Sequence, residues 1–182
     1  RKLQSTGYFA NDYFNVDPNF GTNDILRELI QKAHEKGLYV ILDGVFGHHG
    51  SNMKASPKGR YPQGPDDPVS YPGSLDYYLE VAQYWINEYE IDGWRLDQCY
   101  QMGPKNQNAN YMKEIREAIE ACCLARKKAG KEWGTLGYIV GEDWEGQGDI
   151  QYHTYSGAGL RSAFDFPSRY YLVQTLACEE SG

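Results

Sequence analysis

Helix-period segments alternate along this chain with short apolar runs, and three of those runs end in reactive polar groups. Residues 38–46 lead into Gly47-His48-His49. Gly93-Trp94-Arg95-Leu96-Asp97 ends in an arginine and an aspartate two residues apart. Residues 137–141 end at Glu142. Continuous apolar runs of this length suit strands buried on both faces of a parallel sheet, and their alternation with helices implies crossover connections. In such folds the chemistry gathers at the carboxyl ends of the strands, which here carry His48, Asp97 and Glu142. Residues i and i+2 of a strand share a face, so Arg95 and Asp97 point to the same side. A guanidinium beside a carboxylate orients it and lowers its pKa, as a nucleophile requires.

The intervening segments fit this plan. Residues 24–36 place Ile25, Leu26, Leu29, Ile30 and Ala33 at helical spacing, with Thr22 or Asn23 as cap and Gly37 as stop. Residues 75–90 form a second helix with Leu75, Leu79, Ala82, Trp85, Ile86 and Tyr89 inward. Residues 111–128 form a third, with Met112, Ile115, Ile119 and Cys122 on the buried stripe. Residues 103–109 read as polar loop, 163–166 as one more strand, and 169–178 as a closing helix. Between the first strand and the second helix, Pro57, Gly59, Pro62, Gly64, Pro65, Pro68, Pro72 and Gly73 break every periodic pattern. A long irregular insertion of this kind is usually functional.

The 182 residues suit one domain but fall short of the roughly 250 of a complete eight-unit barrel. A net charge of −7 argues against nucleic acid and anionic membrane surfaces. No run has the length of a membrane span, and no signal peptide is evident. The four cysteines, Cys99, Cys122, Cys123 and Cys178, show no metal-binding spacing. They read as reduced thiols of a cytoplasmic protein.

Asp43-Gly-Val45-Phe-Gly47-His48, Gly93-Trp-Arg95-Leu-Asp97 and Gly141-Glu142 resemble, in order, three sequence blocks of the α-amylase family of retaining glycoside hydrolases (family 13). Upstream, residues 7–13 and 16–22 are similar to that family's segment after its second barrel strand. The resemblance spans roughly residues 7–170. It implies an α/β fold, a (β/α)8 TIM barrel, of which residues 1–182 would supply about the second to the sixth unit, with residues 49–74 as a short domain inserted after the third strand. By this resemblance Asp97 matches the nucleophile and Glu142 the general acid/base. Arg95 is the arginine beside the nucleophile, and His48 holds the sugar at the cleavage subsite. Tyr8 stacks on that sugar, and Asp43 is the structural aspartate grouped with them. Retention requires carboxyls about 5–5.5 Å apart. Asp97 should then stay ionised while burial or the nearby anion raises Glu142.

The sequence departs from the family in two places. Gly47 replaces an asparagine whose carbonyl binds calcium, and Tyr100-Gln101 replace a Lys-His pair found in calcium-binding members. The expectation is no metal and no cofactor. The family's third acid, an aspartate on the seventh strand, has no counterpart; Asp165 falls at the sixth strand and is declined. The expected substrate is an α-linked oligo- or polysaccharide, cleaved by hydrolysis. The alternatives are a transglycosylase or isomerase acting on sucrose- or trehalose-type substrates, and a non-catalytic glycan-binding homologue. Asp143 and Glu145 are expected to be solvated neighbours. Open sheet edges would call for partner copies or further sequence.

Overall fold

A computed structural model describes residues 6–103, 111–156 and 159–176. The elements run α1 (Asn23–Glu35), β1 (Ile41–Gly44), α2 (Leu75–Tyr89), β2 (Gly93–Leu96), a 3-10 turn (Cys99–Met102), α3 (Tyr111–Lys128), β3 (Tyr138–Gly141), α4 (Gln147–Gln151), a π-helical turn (Tyr152–Ser156) and α5 (Phe166–Leu176). The three strands form one parallel sheet in chain order. Each helix between them is a crossover, so the described residues form a stretch of a β/α barrel. A parallel bridge from Gly141 to Ala163 marks where a fourth strand lies against β3.

Register decides which side chains reach the site. Gly44, Leu96 and Gly141 stand in one row, and Asp43, Arg95 and Val140 in the row before it. Leu42, Trp94 and Ile139 share a row on the side of the helices, where Trp94, Leu96 and Ile139 are buried against Val81, Ala82, Ile86, Ile115 and Ile119. On the opposite face Ile41, Tyr138 and Phe164 stay 39%, 46% and 39% exposed. The strands are therefore covered on one face only. The apolar run before β1 also differs from expectation. Leu38 N–H bonds back to Ala33 O as part of the α1 terminus, and Val40 N–H is taken by the Asp92 carboxylate at 2.8 Å. The ladder begins only at Ile41. Residues 163–166 likewise contribute a single bridge, because Phe166 already starts α5.

The periodic helices formed where their spacing placed them. α3 spans Tyr111–Lys128 and buries Met112, Ile115 and Ile119, with Cys123 rather than Cys122 deepest. α2 buries more than one stripe, since Tyr77 and Tyr78 pack edge-on against Tyr13 from the loop before α1. At the amino end of the sheet, Asp92 accepts from His34 Nε2 at 2.8 Å, Val40 N and Gly134 N. Trp133 stacks flat on the His34 ring with centroids 4.1 Å apart. This buried polar bolt satisfies backbone N–H groups from two connections and the His34 ring, and fixes the end of the sheet opposite the site. Among the described residues, Cys99, Cys122 and Cys123 are free thiols. Cys178 and residues 104–110 lie outside the described residues. No described helix is long and apolar enough to cross a membrane.

Candidate active site

Arg95 organises the carboxyl end of the sheet. It stands in the register row of Asp43, and its guanidinium meets three carboxylates. Nη1 donates to Asp43 at 2.7 and 3.0 Å and to Asp97 Oδ1 at 2.7 Å. Nη2 lies 2.8 Å from Glu142 Oε1. A planar fork can hold two partners in fixed relative orientation, which an ammonium cannot. Burial works against the Arg95 charge, but Asp43 and Asp97 outweigh it and keep the group protonated. The five other residues singled out from the sequence lie at this guanidinium or beside its partners. Tyr8 places its ring centroid 6.0 Å from the Arg95 Cζ, and its hydroxyl reaches Asp43 Oδ2 at 3.4 Å. The Asp43 charge holds the Tyr8 phenol above its usual range. His48 is buried, with Nε2 3.8 Å from Asp97 Oδ2.

The strand ends converge because the ladder continues past the strands. Asp97 N–H bonds to Gly44 O at 3.0 Å and Glu142 N–H to Leu96 O at 2.8 Å. The loop bearing His48 is braced by two tyrosines. Tyr13 Oη reaches the carbonyls of Val45 and His48, both at 2.8 Å, and Tyr71 donates to Phe46 O at 2.8 Å. Gln98, directly after Asp97, adopts a left-handed conformation at φ 40°, uncommon for a side-chain-bearing residue. In this conformation its N–H points at Glu142 Oε2, 3.2 Å away.

The electrostatics run opposite to the expectation that Asp97 stays ionised and Glu142 is raised. Burial and the adjoining Glu142 carboxyl push Asp97 up to about 6, against the pull of Arg95. Burial also disfavours the Glu142 charge, but the Trp144 indole, the Asp97 carboxyl, Gln98 N–H and Arg95 together hold it below the ordinary glutamate value. Trp144 Nε1 donates to Glu142 Oε1 at 2.5 Å. Of the two carboxyls, Asp97 is therefore the one that takes up a proton first as pH falls. Asp97 Oδ2 is buried and has no hydrogen-bond partner among the described residues.

Asp143 is no solvated neighbour: it is fully buried. Its Oδ2 lies 2.5 Å from His153 Nδ1, and His153 Nε2 lies 3.2 Å from Gly103 O. Its Oδ1 accepts the Glu145 N–H at 3.1 Å. Asp143, Glu145 and His153 bring potential metal-ligand atoms within 4.8 Å of one another, but both imidazole nitrogens already face oxygen acceptors within the protein. Sequence reasoning passed over Gln98, Trp144 and His153, and met Gln101 only as a departure from the Lys-His pair. Only Trp144, an aromatic two residues after Glu142, carried a local signal; the others act through contacts that no spacing encodes.

The family model for the alpha-amylase catalytic domain matches residues 1–67. A cyclomaltodextrinase of Geobacillus thermopakistaniensis (strain MAS1) is 32% identical over 146 residues, which is 63% of this chain and 24% of that protein. An intracellular maltogenic amylase of Bacillus subtilis is 34% identical over 119 residues, covering 50% of this chain and 20% of the relative. Among solved structures, AmyP in complex with maltose is 47% identical, with a TM-score of 0.83 over 95% of this chain and 35% of AmyP. The chain thus spans about a quarter of the length of these relatives and about a third of AmyP. Over 95% of its length the chain is thus similar to AmyP, and over residues 1–67 to the alpha-amylase catalytic domain, so in sequence and in fold it resembles the α-amylase family.

Proposed function

We propose that the protein carrying this chain is a retaining glycosidase. It cleaves α-glucosidic bonds of α-glucans or maltooligosaccharides through a covalent glycosyl-enzyme intermediate. One observation carries this reading: Asp97 and Glu142, from adjacent strands, are held on a single guanidinium at 2.7 and 2.8 Å. A pair so tied favours the short separation of retaining enzymes over the wider gap that leaves room for a water.

Asp97 Oδ2, buried and unbonded, is the oxygen that attacks the anomeric carbon, while Oδ1 stays on Arg95. Glu142 protonates the departing glycosidic oxygen, then takes a proton from the water that opens the intermediate. Attack requires Asp97 ionised and Glu142 protonated, so substrate entry has to favour proton transfer to Glu142 over Asp97. Displacing the Trp144 indole from Glu142 Oε1 favours that transfer. His48 and Tyr8 flank the sugar, and Asp43 fixes the far side of the Arg95 fork. Residues 49–74 act as an inserted loop over the site. Their backbone returns to it through His49 N–H to Asp66 O and Val69 N–H to Gly47 O, both at 2.9 Å. Cys99, Cys122 and Cys123, free thiols among the described residues, suit a cytoplasmic setting.

The test uses the protein that carries this chain, maltooligosaccharides of defined length and proton NMR of the first product anomer. The reading expects the α-anomer to appear first, and turnover to vanish in Asp97→Asn and Glu142→Gln. A β-anomer as first product, or an active Asp97→Asn, defeats it.

A further inference from the structure

Gly47 has no side chain, and the space beside it is filled from another loop. A Cβ at Gly47 would sit 2.2 Å from Oε1 of Gln101 and 2.5 Å from its Cβ. Gln101 stands on the 3-10 turn that follows Asp97. Its amide is engaged at both ends: Nε2 donates to Asp67 Oδ1 at 2.9 Å, and Oε1 lies 2.9 Å from His48 Nδ1. Each contact determines the other. An ionised carboxylate only accepts, so the amide NH2 faces Asp67 and the carbonyl faces His48. His48 Nδ1 must then carry a proton. That leaves Nε2, the nitrogen 3.8 Å from Asp97 Oδ2, to respond to whatever enters the site.

We infer that Gln101 is a positioning residue for His48. Its amide ties the 49–74 segment, through Asp67, to the imidazole and fixes the ring's tautomer and plane, and residue 47 is glycine so that this amide can lie across it. The inference rests on reading His48 as a sugar contact beside Asp97. The second nitrogen of a histidine commonly sets what the first presents. A misplacement of about 1 Å near reacting atoms can reduce rate on the order of a hundredfold.

Three variants of the protein that carries this chain test this. Gln101→Ala removes both bonds. Gln101→Glu keeps an oxygen on His48 but sets a carboxylate against Asp67. Gly47→Ala drives a methyl into the amide. Gln101→Ala should lower kcat on maltooligosaccharides by roughly 10–100-fold, with a smaller change in KM and a melting temperature near that of the wild type, and Gly47→Ala, whose methyl also meets the Gln101 Cβ, should lower kcat by as much together with the melting temperature. Gln101→Glu should retain the Nδ1–H form of His48 in nitrogen-15 spectra while amide exchange in residues 49–74 accelerates. Wild-type kcat in Gln101→Ala, or a wild-type His48 protonated on Nε2 alone, overturns the inference. Should Gln101→Ala not fold, the wild-type tautomer decides. If the wild-type protein cleaves no α-glucoside, the proposed function fails, while the tautomer and exchange measurements still judge the role of Gln101.

Discussion

Three carboxylates on one arginine make Asp43, Asp97 and Glu142 a crowded set of like charges, and the crowding has measurable consequences. Asp97 is raised to about 6 from an ordinary 3.8, so the folded state binds its proton more tightly than the unfolded chain. The stabilisation is complete below about pH 4 and is lost as pH rises through about 6. Asp97→Asn cannot ionise and escapes that loss. Its melting temperature relative to wild type should climb between pH 4 and 7; a flat or falling difference counts against the raised Asp97 value. The same proton governs turnover. Chemistry needs one proton on the pair, whose upper apparent value lies near 6, so kcat/KM should decline above about pH 6; a rate per substrate that is level from pH 5 to 9 contradicts this. Arg95→Lys should lower kcat at least about a hundredfold, because a point charge cannot hold Asp97 and Glu142 in one plane. The pairing of Arg95 with Asp97 was legible from their two-residue spacing. The direction of the proton was not. It depends on Trp144 and Gln98 bonding Glu142, which only the folded loops arrange.

Among the elements, the bounds of α3 were legible to the residue because its apolar period runs unbroken between solvent and sheet, although the buried stripe ends on Cys123 and not on Cys122. β1 was not, because its apolar run also serves the α1 terminus and the Asp92 bolt. Asp143 was misread for the same reason at a greater distance: its burial depends on His153, ten residues later in the π-helical turn. That pair links the loop after β3 to Gly103, at the end of the turn after β2, and so ties together the loops bearing Glu142 and Asp97. Burial disfavours the His153 charge, but Asp143 and the Gly103 carbonyl outweigh it and raise its pKa above 6.5. The stability it supplies is present below pH 6.5 and lost as pH rises through the raised value. His153→Ala leaves a buried carboxylate without its cation, which typically costs about 3–5 kcal/mol. Amide exchange should accelerate in residues 141–156 before it does in α3, whereas unchanged protection there would show the pair to be dispensable. β2 is tested more simply. A Cβ on Gly93 would lie 1.9 Å from the Tyr138 carbonyl oxygen, so Gly93→Ala must force β2 and β3 apart and should abolish soluble expression.

At the scale of the whole chain, the alternation of helices and strands gave the parallel order, but no pattern in the sequence says how much of the sheet is covered. Parallel strands are normally buried on both faces. Here the helices cover one, while Ile41, Tyr138 and Phe164 line the other at 39–46% exposure. α5 exposes further apolar surface of its own, Tyr171 and Leu172 at 71% and 59%. Contiguous apolar surface with an unpaired strand edge recruits whatever apolar surface it meets. The 182-residue chain expressed alone should therefore bind a hydrophobic dye and sediment as species heavier than its 20.8 kDa monomer, increasingly so with concentration. Ile41→Thr with Tyr138→Lys places polar groups on that face without touching Arg95 or its carboxylates, and should shift the chain toward monomer. If the unsubstituted chain sediments as a dye-silent monomer, its exposed inner face is not the source of association, and the loops of residues 6–22 and 49–74 must shield more of it than their positions indicate.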